Sequence, residues 1–263
     1  MLRRRLFCTI SIFLCALFSS RAQDWEGMAV SYERTIWEGA SLEDVNTALR
    51  GKAECYKQLG LYADASSTLA RVRMFALLPE ERQEVLYQQE LCHFLGGEFA
   101  QAAALVEEVE PVSEDILLLH ALSLAYAGKF DESEIYAARF ISWNGESPHL
   151  QALLDLYAGH PVPRNTGTAI ALSFLPPAGH IYNGRPGEGL LSAGLNAAAV
   201  AFTVANLLGG YWITGIVGGS IALNYTVMGG QERNLALVDI NNKDAVLEFG
   251  DRVRQFLAET LTP

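Results

Sequence analysis

The chain has 263 residues, half of them hydrophobic, and a formal net charge of −11. An acidic balance of this size argues against nucleic acid or anionic lipid as the ligand of its charged part. The charge is unevenly spread: residues 24–160 hold 23 carboxylates against 9 Lys/Arg, whereas 161–263 hold 7 against 6, which predicts two modules in different solvents.

At the N-terminus, Arg3, Arg4 and Arg5 precede an apolar run from Leu6 to Phe18, and Ser20-Arg21-Ala22 offers small residues for cleavage. This is the pattern of a secretory signal peptide over 1–22, with an apolar core too short to span a bilayer. Leu14 stands before Cys15, where a lipid-attachment box wants a small residue. Removing the segment takes four arginines and moves the net charge from −11 to −15. Of the four cysteines, Cys55 and Cys92 remain, with no C-x-x-C or ligand-like spacing, and read as small buried helix positions.

From 23 to 158 the chain reads as helices. Apolar residues recur at helical spacing, and start signals stand at Ser41 (three before Asp44), Pro79, Ser113 and Ser147-Pro148. Three glycines open the same pattern: Gly60 with Tyr62 and Ala65, Gly97 with Phe99 and Ala102, and Gly128 with Phe130 and Ser133. Glycine ends one helix in the left-handed conformation, the aromatic fills the corner, and the small residue admits the next helix. Helices over Trp25–Trp37 and His149–Tyr157 are expected to close the ends of the stack.

This stretch resembles the tetratricopeptide repeat family, most closely over Ala53–Val72, where A-x-x-Y-x-x-x-G-x-Y-x-x-A appears in full. The usual glycine seven before the turn is replaced by Ala53, Glu90 and Ala121. The resemblance implies a short superhelix that binds a peptide or partner protein on its concave face.

Residues 159–167 carry Pro161 and Pro163 and read as a linker. Beyond it, 168–231 reads as a membrane domain. Arg185 and Glu188 are the only charged residues between Arg164 and Glu232, and the 43 positions from Gly189 to Gln231 have none. A bilayer core needs about 20 apolar residues per helix, so the run predicts a helical hairpin over 189–230 that turns at Gly209-Gly210. Gly194, Ala197 and Ala198 are expected to face Gly215 and Gly219 across it. The segment 168–182, stopped by Pro176-Pro177, is expected to dip into the membrane or lie at its interface.

The turn between them, Pro176-Pro177-Ala178-Gly179-His180-Ile181-Tyr182-Asn183-Gly184-Arg185-Pro186-Gly187-Glu188-Gly189, resembles the short membrane domain of many bacterial envelope proteins. It is similar also to a two-transmembrane-helix domain family with a G-x-H-x-[FY]-Y-x-G-like turn. Pro177, Gly179, His180, Tyr182, Gly184, Arg185, Glu188 and Gly189 are therefore the candidate residues of this module. Tyr in the headgroup zone, Arg reaching phosphates and Glu pairing with it form the simplest reading. Residues 232–263 read as a C-terminal amphipathic helix with Val246, Phe249, Val253 and Phe256 on one face.

Two rules conflict on topology: an exported first module and two crossings leave Arg185, Arg233 and Lys243 outside, against the positive-inside rule. The length argument favours two crossings, since a proline-broken half-helix spans poorly.

The five histidines are scattered and form no H-E-x-x-H or Cys/His metal pattern, and there is no Gly-x-Ser-x-Gly elbow. No cofactor, metal or nucleic acid is implied. The expected architecture is all-α, a tetratricopeptide-like domain followed by a transmembrane hairpin and an amphipathic helix. The expected role is a non-catalytic adaptor in the bacterial inner membrane, in contact with lipid and binding a partner protein through a periplasmic repeat domain. The alternative is an accessory subunit of a membrane assembly, insertion or transport system, with the hairpin as the active part.

Overall fold

Every regular element among the described residues is a helix, and the protein is all-α. A computed structural model describes residues 24–39, 41–106, 109, 113–143 and 148–261. The expected signal peptide and the expected cap at Ser147 lie outside them. The chain divides into two compact units, Met1–Gly145 and Glu146–Pro263.

The first unit holds α1 (Trp25–Glu38), α2 (Leu42–Gln58), α3 (Tyr62–Leu69), a 3₁₀ turn at Met74–Ala76, α4 (Pro79–Leu95), α5 (Phe99–Leu105), α6 (Glu114–Tyr126) and α7 (Phe130–Ile141). The starts follow from local chemistry. Asp24 Oδ1 accepts from Gly27 N at 2.9 Å, and Ser41 Oγ accepts from Asp44 N at 3.1 Å while donating to Asp44 Oδ2 at 2.7 Å. Such caps satisfy amides that the first turn leaves orphaned. Pro79 opens α4 at a position where no donor is needed, and Glu81 Oε2 reaches back to Leu78 N at 3.1 Å.

The helix ends share one device. At Gly60, Gly97 and Gly128, φ is +73°, +76° and +79°. The amide after each glycine returns to a carbonyl five residues before it: Leu61 N to Tyr56 O at 2.9 Å, Glu98 N to His93 O at 2.8 Å and Lys129 N to Leu124 O at 2.9 Å. This is the Schellman closure, which only glycine enters without strain.

Consecutive helices of the unit pack on one another, and α4 also reaches α6. Leu49, Ala53, Ala65, Leu69, Val85 and Cys92 form one core cluster, and Ala103, Val106 and Leu124 another. From Ile116 to Ala125, α6 is buried at every position except Leu118, as its near-continuous apolar run requires.

The second unit holds α8 (Leu150–Ala158), α9 (Thr166–Ser173), α10 (Ala178–Tyr182), α11 (Pro186–Leu208), a π-helical turn at Thr214–Gly218 and α12 (Gly219–Leu261). α8 belongs here because Tyr157 packs edge-on against Phe249 at 5.4 Å between ring centres. The connection 160–165 is free of helix.

Three expectations change. The half-helix expected over 168–182 is two short helices, because Pro176 and Pro177 have no N–H to carry the ladder. The separate C-terminal helix expected from 232 is the continuation of α12, a 43-residue rod about 65 Å long. No proline interrupts it, and its neighbours carry Gly229-Gly230 through at a cost of about 1 kcal/mol per glycine. Finally, Gly194 faces open space, and Ala197 and Ala198 are exposed. The close approach between α11 and α12 is made by Gly219 against Thr203, with Gly218 against Phe202 and Gly215 against Leu207.

Candidate functional site

The motif from Pro177 to Gly189 sends two of its polar side chains, His180 and Asn183, into a buried cluster under α12. Gly184, at φ +74°, ends α10 with the same closure as the first unit's corners, Arg185 N returning to His180 O at 2.8 Å. That turn points His180 and Asn183 inward, where both are buried with Ser173 and Asn234. The hydrogen bonds run one way. Asn183 Nδ2 donates to Asn234 Oδ1 at 3.2 Å, Asn234 Nδ2 donates to Ser173 Oγ at 2.9 Å, and Ser173 Oγ donates to Ala169 O at 2.7 Å. His180 Nδ1 lies 3.4 Å from Asn234 Nδ2, so it acts as acceptor. Asn183 Oδ1 is buried and has no hydrogen-bond partner among the described residues.

The two flanking glycines are required by space. A Cβ on Gly179 would lie 2.6 Å from Asn234 Nδ2, and one on Gly189 would lie 2.8 Å from Pro177 Cβ and 3.1 Å from His180 Cβ. Tyr182 turns its hydroxyl to accept from Asn165 N at 2.9 Å. Asn242 clamps the backbone beside it, accepting from Arg164 N at 2.7 Å and donating to Arg164 O at 3.1 Å. Glu188 pairs with Arg233 through two bonds, Nε to Oε2 at 2.8 Å and Nη2 to Oε1 at 3.0 Å, while Arg185 is exposed. The cluster holds neutral amides, a hydroxyl and one acceptor imidazole, and no nucleophile paired with a base. It binds α9 and α10 to α12.

Sequence reasoning missed Ser173, Asn183, Asn234, Asn241 and Asn242. One signal was present: Asn234 and Asn241 stand seven apart on the face that α12 buries, and Asn241 Nδ2 donates to Asn183 O at 3.1 Å.

In the first unit the expected turn residues sit at the corners. Ala65, Ala102 and Ser133 are fully buried, and Ser133 Oγ donates to Ala121 O at 2.7 Å. Phe99 stacks on Tyr126 at 4.7 Å with Phe94 edge-on to both, and Phe130 is buried, whereas Tyr62 is half-buried. Between α2 and α4 lies a cleft of about 220 Å³, with Ala53, Leu69 and Val85 among its lining residues and Arg50, Glu54, Lys57, Glu84 and Gln88 supplying its polar groups. Lys57 Nζ donates to Gln88 Oε1 at 2.6 Å across it and also pairs with Glu54. That lysine holds the Glu54 carboxyl below its ordinary value through a side-chain hydrogen bond.

Two histidine constellations were invisible in sequence. Glu90, His120 and Ser123 are wholly buried together: Ser123 Oγ donates to Glu90 Oε1 at 2.8 Å, and Glu90 Oε2 stands 2.9 Å from His120 Nδ1. His120 Nε2 must carry a proton, because it faces the Val109 carbonyl at 3.1 Å. The Glu90 that departs from the repeat pattern is thus the anchor of this pair. In the other, His93 Nε2 meets Ser66 Oγ at 2.8 Å and Nδ1 meets Glu98 Oε2 at 2.6 Å. The order is that of a hydrolase triad. However, Ser66 is buried inside α3, where the helix packs it out of reach of solvent.

Cys55 and Cys92 are buried free thiols, and loss of solvent pushes Cys92 up to about 11. Among the described residues no group of three or more His, Cys, Asp or Glu is placed to hold a metal. No protein-family model, curated protein or solved structure matches the chain.

Proposed function

We propose that this protein is a membrane-anchored helical adaptor of the bacterial envelope, holding a partner protein on its first unit. The observation that carries the anchor is the outward face of α11 and of the helix that starts at Trp212. Leu190, Leu191, Leu208, Trp212, Ile213 and Tyr225 are each more than 60% exposed, an apolar surface too large for water. α11 alone has a mean hydropathy of 1.6 over its best window, enough to cross a bilayer. Its 23 residues reach about 35 Å, and Trp212 to Gly230 about 28 Å, against a hydrocarbon core of about 30 Å.

On this reading the two arms form a hairpin that crosses twice, with Glu188 and Arg233 paired at its open end in the headgroup zone. α9 then lies outside the hydrocarbon, because Ser173 meets Asn234 and Arg164 meets Asn242, both past the ion pair along α12. That favours two crossings over three. The first unit lies on the periplasmic side of the inner membrane, exported by the segment 1–22.

Partner binding is assigned to the cleft between α2 and α4, whose mixed charges and apolar floor suit an extended peptide carrying both signs. A photo-crosslinking residue placed at Gln88 of the full chain in intact membranes tests it. One discrete partner captured from Gln88, and none from Lys129 on the α6–α7 corner, is the expected result; equal or absent capture would refute the assignment.

A further inference from the structure

One polar side chain sits where a bilayer tolerates it least, and its significance rests on the membrane-anchored reading of the hairpin. If Glu188 and Arg233 mark the headgroup level, Asn224, nine residues earlier on α12, lies about 13 Å deeper, close to the middle of the hydrocarbon. Asn224 is exposed on the helix surface. The hairpin's other two asparagines are provided for. Asn196 Nδ2 donates to Ser192 O and Asn196 Oδ1 accepts from Thr226 Oγ1, while Asn206 Nδ2 donates to Phe202 O and the residue stands three before Gly209, at the far end of its arm, where headgroups and water can meet its other groups.

A carboxamide left bare in hydrocarbon costs several kcal/mol, and asparagine is too short to reach the interface as lysine does. Turning back onto the Ser220 carbonyl, in the manner of Asn196 and Asn206, would use one N–H and leave the other N–H and Oδ1 unpaired. Something must meet Asn224 from outside. Its partner needs one donor and one acceptor at the same depth on a surface without charge, and the stretch from Gly189 to Gln231 has no charged residue. The same side chain of a second chain supplies both, since two carboxamides related by a twofold axis each give an N–H to the other's oxygen.

We propose that the hairpin is the contact of a symmetric dimer, in which α12 packs on α12 of a second copy with Asn224 against Asn224. The test uses the full chain in phosphatidylcholine vesicles at high dilution, with subunit counting by single-molecule photobleaching and carbonate extraction run in parallel. Wild type is expected to resist extraction and to bleach in two steps. Asn224→Leu should also resist extraction but associate about tenfold more weakly, Asn224→Gln should recover most of the dimer, and Asn206→Leu should leave it unchanged. Wild type that resists extraction but stays monomeric overturns the dimer and leaves the anchor standing. A dimer indifferent to Asn224→Leu overturns the assigned contact, and wild type stripped by carbonate overturns the anchor itself.

Discussion

The two units share devices and differ in what they hide. Both close helices on a left-handed glycine with an amide returning five residues: Gly60, Gly97 and Gly128 in the first, Gly184 and Gly210 in the second. Both also clamp an arginine backbone with an asparagine side chain, Asn46 on Arg73 and Asn242 on Arg164. Yet the first buries an ionisable pair, Glu90 with His120, beneath an acidic surface. The second buries amides, a hydroxyl and the His180 imidazole and carries its carboxylate ion pairs, Glu188 with Arg233 among them, at the surface.

The sharpest way to break this comparison is to remove one partner from each buried network in the full-length protein and follow unfolding by circular dichroism. Glu90→Leu strands Ser123 Oγ and removes the carboxyl beside His120 Nδ1, and should cost about 2–5 kcal/mol. Asn234→Leu in the second unit removes the amide shared by Ser173 Oγ and His180 Nδ1 but leaves Asn183 Nδ2 on Gly179 O and Asn234 O and Ser173 Oγ on Ala169 O, and should cost about 1–2 kcal/mol. Equal losses would erase the distinction between a network anchored on a carboxyl and one anchored on an amide. Next in size are the space-limited glycines. Gly179→Ala drives a methyl into Asn234 and should cost about 1–3 kcal/mol. Gly194→Ala, opening onto free space inside α11, should be neutral or slightly stabilising, as alanine is the better helix former.

These contrasts also show what was legible beforehand. The glycine corners announce themselves locally: glycine, one residue, then an aromatic at 60, 97 and 128. The charge-free block likewise stands out by composition alone. Asn183, Asn234 and Asn241 do not, because an asparagine looks the same whether it caps a turn, faces water or bridges two helices. Their partners stand 51 and 58 residues away. Glu90 shows the same limit from the other side. It was visible as a departure from the repeat pattern, but its reason, His120 on another helix, is a property of packing. The long α12 was misread because Gly229-Gly230 and the charges after Gln231 look like an ending, while helix continuity is decided by what lies alongside.

A smaller effect concerns the thiols. Cys92, raised by burial to about 11, should resist a thiol reagent at pH 8 until the first unit unfolds, so its labelling rate reports opening of α4. Cys92 labelling as fast as a free cysteine would place that helix at a mobile edge instead of in the core.

Smallest is a pH effect at the outer end of the first unit. Glu33 lies below its ordinary value of 4.5, chiefly through its hydrogen bond with Lys52 at 2.7 Å, with Arg71 adding at 3.7 Å. A carboxyl lowered by folding contributes stability that is complete above its unfolded value and is lost as pH falls through the folded one. The contribution is therefore intact at pH 7 and fades below about 4.5. The pair joins α1 to α2 in a setting where Glu33 is half exposed to water, which keeps its worth small. Lys52→Met should flatten the acid limb of the stability curve and leave the protein near neutral pH almost unchanged. An acid limb that keeps its slope in this variant would overturn the Glu33–Lys52 pair as its source.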